Sequence, residues 1–284
     1  MFGIAVIIPS WNRAHLITNA LDSVLAQSCL PDEIIVVDDG STDNTRDIIQ
    51  TGYPMVKLIS QENKGVSAAR NTGITSTTHE WIALLDSDDK WQPQKLEKQC
   101  QQLAMHPDYL ICHTNETWIR RGRYVNQMKK HQKKGGHIFQ HCLPLCAISP
   151  SSVMIHRRIF NDVGLFDETL PACEDYDLWL RITARYPVLY LEEELITKYG
   201  GHDDQLSRQY WGMDRYRIYS LAKIIADHKL DIEDKNVAIK IMLKKIRIYL
   251  AGAKKYNNTE HVHYFNTLLE QYEPIEEELS VATT

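Results

Sequence analysis

The chain of 284 residues carries 32 lysines and arginines against 37 aspartates and glutamates, a formal net charge of −5 with pI near 6.2, and 43% of it is hydrophobic. That length holds one large α/β domain with an appendage, or two modest domains, and the charge balance excludes a general nucleic-acid binder and a disordered chain. Six cysteines without a CxxC or framework spacing imply thiols in a reducing compartment, and no apolar run is long enough to span a bilayer; the expected location is cytoplasmic, with any membrane contact peripheral.

Ile4 to Pro9 reads as a buried strand ended by Pro9, followed by the loop Ser10-Trp-Asn-Arg13 and a helix over about 14–27 with Ile17, Leu21, Val24 and Leu25 on its apolar face. Glu33 to Asp38 is a second strand. The turn Asp38-Asp-Gly-Ser-Thr-Asp43 follows, with Thr42 or Asp43 placed to cap a short helix. Val56 to Ser60 gives a third strand, and Asn63 to Gly73 a loop feeding a helix that Gly73 ends. Trp81 to Leu85 is a fourth, whose apolar run delivers Asp86, Ser87, Asp88 and Asp89 to the carboxyl edge of the sheet, where open α/β folds bind ligands. Crowded carboxylates repel unless a cation or donors compensate, so a hard divalent ion suits this turn. The plain alternative is a solvated acidic turn, with Asp89 as the cap of the helix expected over 94–106. The β-α alternation predicts a mostly parallel sheet with its polar loops along one edge.

From His113 to Gly136 the regularity lapses, and a basic stretch from Arg120 to Lys134 reads either as a solvated insertion or as a surface for an anionic acceptor or membrane headgroups. His137, His141, Cys142 and Cys146 match no zinc spacing, and the apolar residues between them look like core. Ser152 to Ile155 resumes as a strand and Arg158 to Val163 as a helix. Cys173-Glu-Asp-Tyr-Asp-Leu-Trp-Leu-Arg181 then opens a helix with its acids outward. Two late strands, 188–191 and 195–199, lead to helices over about 213–228, 235–255 and 260–272, suited to packing on the main domain or on a second copy in a homo-oligomer. The acidic tail from Glu273 is expected to fray.

Six ordered pieces then carry a resemblance: Ile8-Pro-Ser-Trp-Asn-Arg13, Val36-Val-Asp-Asp-Gly-Ser41, Asn63-Lys-Gly-Val-Ser-Ala-Ala-Arg-Asn-Thr-Gly73, Leu85-Asp-Ser-Asp-Asp89, Gly164-Leu-Phe-Asp-Glu168 and Glu174-Asp-Tyr-Asp-Leu-Trp-Leu-Arg181. Together they resemble a family 2 glycosyltransferase, inverting and of the GT-A fold. The resemblance covers roughly the first 210 residues, so a GT-A domain over 1–210 and a helical extension over 211–284 are expected.

What the resemblance implies is specific. Pro9 and Ser10 line the nucleotide pocket, Asp39 accepts from the N–H of the base, and Arg70 meets a phosphate. Asp86 and Asp88 form a DxD motif, the first near the ribose and the second on Mn²⁺ or Mg²⁺, with His202 as a further metal ligand. Asp175 is the catalytic base that takes the proton of the acceptor hydroxyl, and Glu174 holds the acceptor or tunes it. By sequence alone the pair equally forms a charged first helical turn. The implied activity is metal-dependent transfer from a nucleotide sugar, UDP-linked by preference, to a glycan or glycolipid hydroxyl in polysaccharide assembly. A non-catalytic module that binds a nucleotide sugar or glycan is the alternative. A glycosidase would leave the Asp39 turn idle, and a nucleotidyltransferase would release pyrophosphate.

Overall fold

The computed structural model describes residues 2–201 and 210–281. Strands β1 (Ile4–Ser10), β2 (Glu33–Asp38), β3 (Lys57–Ser60) and β4 (Trp81–Leu84) pair in parallel in the order β3-β2-β1-β4, joined by helices α1 (Ile17–Leu25), α2 (Thr45–Gly52) and α3 (Val66–Thr75). Beyond Ile7, β1 has a strand neighbour only on the β2 side, and an edge position tolerates proline. Pro9 therefore does not end the strand: it lies opposite Val37, and Ser10 opposite Asp38.

After β5 (Lys90–Trp91) and α4 (Lys95–Met105), the sheet continues through β6 (Ile111–Arg120), β7 (Arg123–Tyr124), β8 (Met154–His156) and β9 (Leu189–Gly200). The order is β3-β2-β1-β4-β8-β6-β9-β5, with β7 hairpinned to β6. β8 runs antiparallel to β4 and β6, and parallel pairing returns at β6 and β9. Two expectations fail here. The lapse of regularity expected from His113 to Gly136 begins only after the hairpin, since a ten-residue strand runs from Ile111 to Arg120, and the two late strands are one, continued across register shifts at Thr114 to Glu116 of its partner.

Alternation along the strands builds three layers. Val6 and Ile8 face α1, α2 and α4, whereas Ala5 and Ile7 face α3 and the later helices. Each fully buried Ile, Leu or Val on these faces stabilises the fold by about 1.5–3 kcal/mol. α3 does not stop at Gly73 but runs through it: a Cβ there would sit 2.3 Å from Ile7 Cγ2, so the glycine lets the helix press onto β1.

Helices α5 (Phe139–Cys142), α6 (Arg157–Val163) and α7 (Glu174–Thr183) cover the second face together with α8 (Asp214–Ile225), α9 (Ile232–Lys255) and α10 (Val262–Val281). One apolar cluster runs unbroken from Ile7 through Trp179 to Leu243 and Phe265, so the late helices pack on the sheet domain. The tail does not fray at Glu273: α10 continues past Pro274, and Arg247 of α9 grips Glu273 at 3.0 Å and Glu276 at 2.7 Å. Among the described residues, no helix is long and apolar enough to cross a membrane.

Candidate active site

Helix α3 is the hub. Its N-terminal loop is fixed by Asp39, which is buried and accepts from Gln61 Nε2 (2.7 Å), Lys64 N (3.0 Å) and Gly65 N (2.8 Å). Three donors leave this carboxylate part of its four-site accepting capacity. One turn further on, Arg70 donates from Nη2 to Asp86 Oδ1 and from Nη1 to Glu174 Oε1, both at 2.7 Å. Its guanidinium is buried over the Phe166 ring, 5.1 Å from the centroid. Asn71 pairs with the Phe166 backbone in both directions and reaches Glu168 at 2.8 Å. Five of the six sequence pieces thus meet on one helix; the first, around Pro9 and Ser10, adjoins Asp38 and Asp39 in the ladder, where Asp39 N donates to Ser10 O.

The acidic turn after β4 is closed by Asp89 N donating to Asp86 O at 3.0 Å. Asp89 does not cap α4, because β5 intervenes. It is buried, accepting from Ser151 Oγ at 2.6 Å and Tyr199 N at 3.2 Å. Burial pushes its carboxyl well up, Lys198 pulls it down, and Asp88 and Asp86 push it up again. Among the described residues, the half-buried Asp88 carboxylate accepts no hydrogen bond from another residue. Burial and the Asp86 charge raise it, against the pull of Arg13 and Lys198.

At the far end of the Arg70 bridge, Cys173 takes left-handed backbone (φ 60) just before α7, a strained conformation for a residue with a side chain. Glu174 is buried and raised by burial and by Asp175, with Arg70 opposing. Asp175 is half-buried, accepting from Tyr176 N at 2.7 Å and from Cys146 Sγ at 3.1 Å. Burial works against the charge on Lys198, yet Asp89, Glu116, Asp86 and Asp175 together hold it protonated well beyond ordinary lysine. Asp86, Asp89 and Asp175 therefore all act on the charge of one lysine, whose own contact is Ser149 Oγ at 3.3 Å. Burial opposes ionisation of Glu116, but Lys133, 3.0 Å away, holds it at about 2.

Helix α3 links Asp39, at its N-terminal loop, to Arg70, which bridges Asp86 and Glu174 beside Asp175, and His202 lies outside the described residues. Arg70 is turned to carboxylates, so a phosphate would meet it only by displacing one of them. Lys198, Lys133, Ser151 and Cys146 were not legible as site residues; only the hydroxyl run Ser149 to Ser152 marks that wall in the sequence. His141 bonds Gln132 O and Cys146 bonds Asp175, so the His and Cys residues of 137–146 turn to separate partners. Among the described residues, no three His, Cys, Asp or Glu side chains form a ready metal cage. A Mg²⁺ or Mn²⁺ ion needs only one or two carboxylates when phosphate and water complete its shell, and Asp88, crowded by Asp86 and lacking outside donors, fits that demand.

Comparisons with known proteins bear on the family and the fold. The model of the family described as glycosyl transferase family 2 matches residues 5–164. An uncharacterized glycosyltransferase of Rickettsia felis is 31% identical over 213 residues, covering 72% of this chain and 35% of that protein, so the chain spans about a third of that relative's length. The Escherichia coli UDP-Glc:alpha-D-GlcNAc-diphosphoundecaprenol beta-1,3-glucosyltransferase WfgD is 33% identical over 187 residues, covering 63% of this chain and 69% of its own. The crystal structure of S. aureus TarS 1-349 in complex with UDP-GlcNAc superimposes with a TM-score of 0.66 at 19% identity, covering 99% of this chain and 92% of that one. That likeness is one of fold: the sheet and its flanking helices have the GT-A architecture.

Proposed function

The chain belongs to glycosyl transferase family 2, and from that premise we propose that it transfers a sugar from a UDP-sugar to an acceptor hydroxyl with inversion, in cell-surface polysaccharide or glycolipid assembly at the inner face of a membrane. The observation that carries this is the Arg70 bridge, which ties the acidic turn after β4 to the first turn of α7 through two 2.7 Å contacts. An inverting displacement needs a donor-holding group and a base on opposite sides of one sugar, and these two turns supply them. Asp175 takes the acceptor proton, while Glu174, locked by Arg70, fixes the helix end that carries it. Pro9, Ser10 and the spare accepting capacity of Asp39 serve the nucleotide base. Mn²⁺ or Mg²⁺, held by Asp88 with His202 as a second ligand, would offset the charge of the leaving diphosphate. Support for a UDP-sugar comes from the WfgD name and from the UDP-GlcNAc in the TarS complex.

Thermal melting against a panel of nucleotide sugars, with and without Mn²⁺, tests this. A UDP-sugar plus Mn²⁺ should raise the melting point most, by the equivalent of about 2.7 kcal/mol at a hundredfold excess over Kd. A shift with guanine or thymine nucleotides alone would overturn the donor. Binding without UDP release in the presence of lipid-linked glycan acceptors would leave a non-catalytic module.

A further inference from the structure

We propose that residues 117–137 form a flap that docks the protein on an anionic phospholipid surface, an inference that rests on the membrane-side reading of the acceptor above. Between Thr117 and His137 the chain has seven lysines and arginines and no acid; 32 less these seven leaves 25 cations against 37 acids elsewhere. The basic face is therefore set against a strongly acidic body, a polarity that orients a protein at a negative surface.

The two halves of the stretch lie on one flap. In the β6–β7 hairpin, Arg120 pairs opposite Arg123, and the turn between them has positive φ at Arg121 (49°) and Gly122 (72°). The chain then folds back along β6: Val125 N donates to Trp118 O, Gln127 Nε2 to Glu116 O, and the His131 ring lies 5.2 Å from that of Trp118. Lys133 alone turns inward, to Glu116 and Ser149 Oγ, and Ser149 also receives Lys198 of the site. Arg120, Arg121, Arg123, Lys129, Lys130 and Lys134 stay exposed, and none forms an ion pair with a described residue.

Like charges directly opposite in a hairpin repel, and left-handed backbone at an arginine is strained, so nothing among the described residues accounts for cations here. An outside anion does. Tyr124 is 62% exposed and Met128 55% exposed, and they intersperse the cations with side chains suited to headgroup depth, which favours a bilayer over a soluble polyanion. The inward end of the flap reaches the site through Lys133, Ser149 and Lys198, so docking would present the cleft beside the membrane.

Sedimentation of the full chain with phosphatidylcholine vesicles, with and without about one third phosphatidylglycerol, tests the proposal. At about 0.1 M salt the protein should pellet only with the anionic vesicles and be released near 1 M. Arg121→Glu/Lys129→Glu/Lys130→Glu should lose about fivefold or more in partitioning per residue, and Tyr124→Ser/Met128→Ser a smaller factor. Arg120→Lys/Arg121→Lys/Arg123→Lys should retain binding, which separates charge from folding, and circular dichroism melting should match the parent for every variant. Equal binding to neutral vesicles, indifference to charge reversal, or binding to heparin that ignores Tyr124 and Met128 while vesicles fail to compete would overturn it. The nucleotide-sugar melting shift needs no vesicles, so failure of either idea is seen separately.

Discussion

Two acidic turns follow parallel strands in this protein, and they are stabilised in opposite ways. After β2, Asp39 and Asp43 are satisfied by neutral donors: Gln61 and the loop amides for one, Thr45 and Ala14 N for the other. After β4, Asp86 is held by Arg70, a cation shared with Glu174, and Asp89 accepts from Ser151 and Tyr199 N while it, Asp86 and Asp175 all act on the charge of Lys198. Neutral donors fix shape and leave the charge balance alone. Shared cations leave a surplus of negative charge, which a further cation would complete. The first turn is held in shape, with only the spare accepting capacity of Asp39 left for a ligand, and the second is left short of positive charge.

Substitutions can break or sharpen that contrast. The largest effect is expected at the far side of the charged group: Asp175→Asn should lower transfer by about 10²–10⁴-fold with donor binding intact, measured by single-turnover UDP release and by calorimetry. Arg70→Met strands two carboxylates and should cost about 3–5 kcal/mol in urea unfolding, with Glu174→Gln added to it recovering part. A loss no larger than that of an exposed arginine would show that the bridge is not buried in solution.

The two turns should also respond to pH with opposite signs. Asp88 is raised above its ordinary 3.8, so its stabilising contribution is complete below that value and is lost as pH rises through the folded pKa. Asp88→Asn should therefore stabilise the metal-free protein at pH 7, an effect fading towards pH 4, while abolishing the Mn²⁺ dependence of donor binding. For Asp43, burial is outweighed by hydrogen bonds from Thr45 and Ala14, and the lowered carboxyl stabilises above 3.8 and loses this as pH falls through its folded value. Asp43→Ala should cost about 1 kcal/mol at pH 7 and nothing in strong acid, read from melting curves across pH. The smallest effect belongs to Cys146, which holds Asp175 Oδ2 by a weak thiol donor. Cys146→Ala should slow transfer about two- to tenfold without changing KM for the donor, and Cys146→Ser should restore it.

The parallel half of the sheet was legible because its strands are continuous apolar runs: Ile4 to Ile8, Ile34 to Val37 and Trp81 to Leu85 are buried along their length. The acids at the strand ends were legible because position in an α/β fold dictates their edge. β6 was not, since His113, Thr114 and Glu116 are buried polar residues that look like loop in sequence, and the partners of His113 and Glu116, Lys134 O and Lys133, lie many residues on. Lys198 was hidden for the same reason: its acids come from three separate segments, which no local pattern records. Asp89 was misjudged because a following helix made capping the nearest explanation, while Ser151 came from 62 residues away.

Gly73 has a reach beyond its own packing. It lies three residues after Arg70 on the same helix, and its missing methyl sets how closely that helix rides on Ile7. Were the helix lifted by even the width of one carbon, the guanidinium would rise with it, and a fork tuned to two oxygens at once would grasp at most one. The spacing of the charges in the cleft is thus gauged by an atom that is not there.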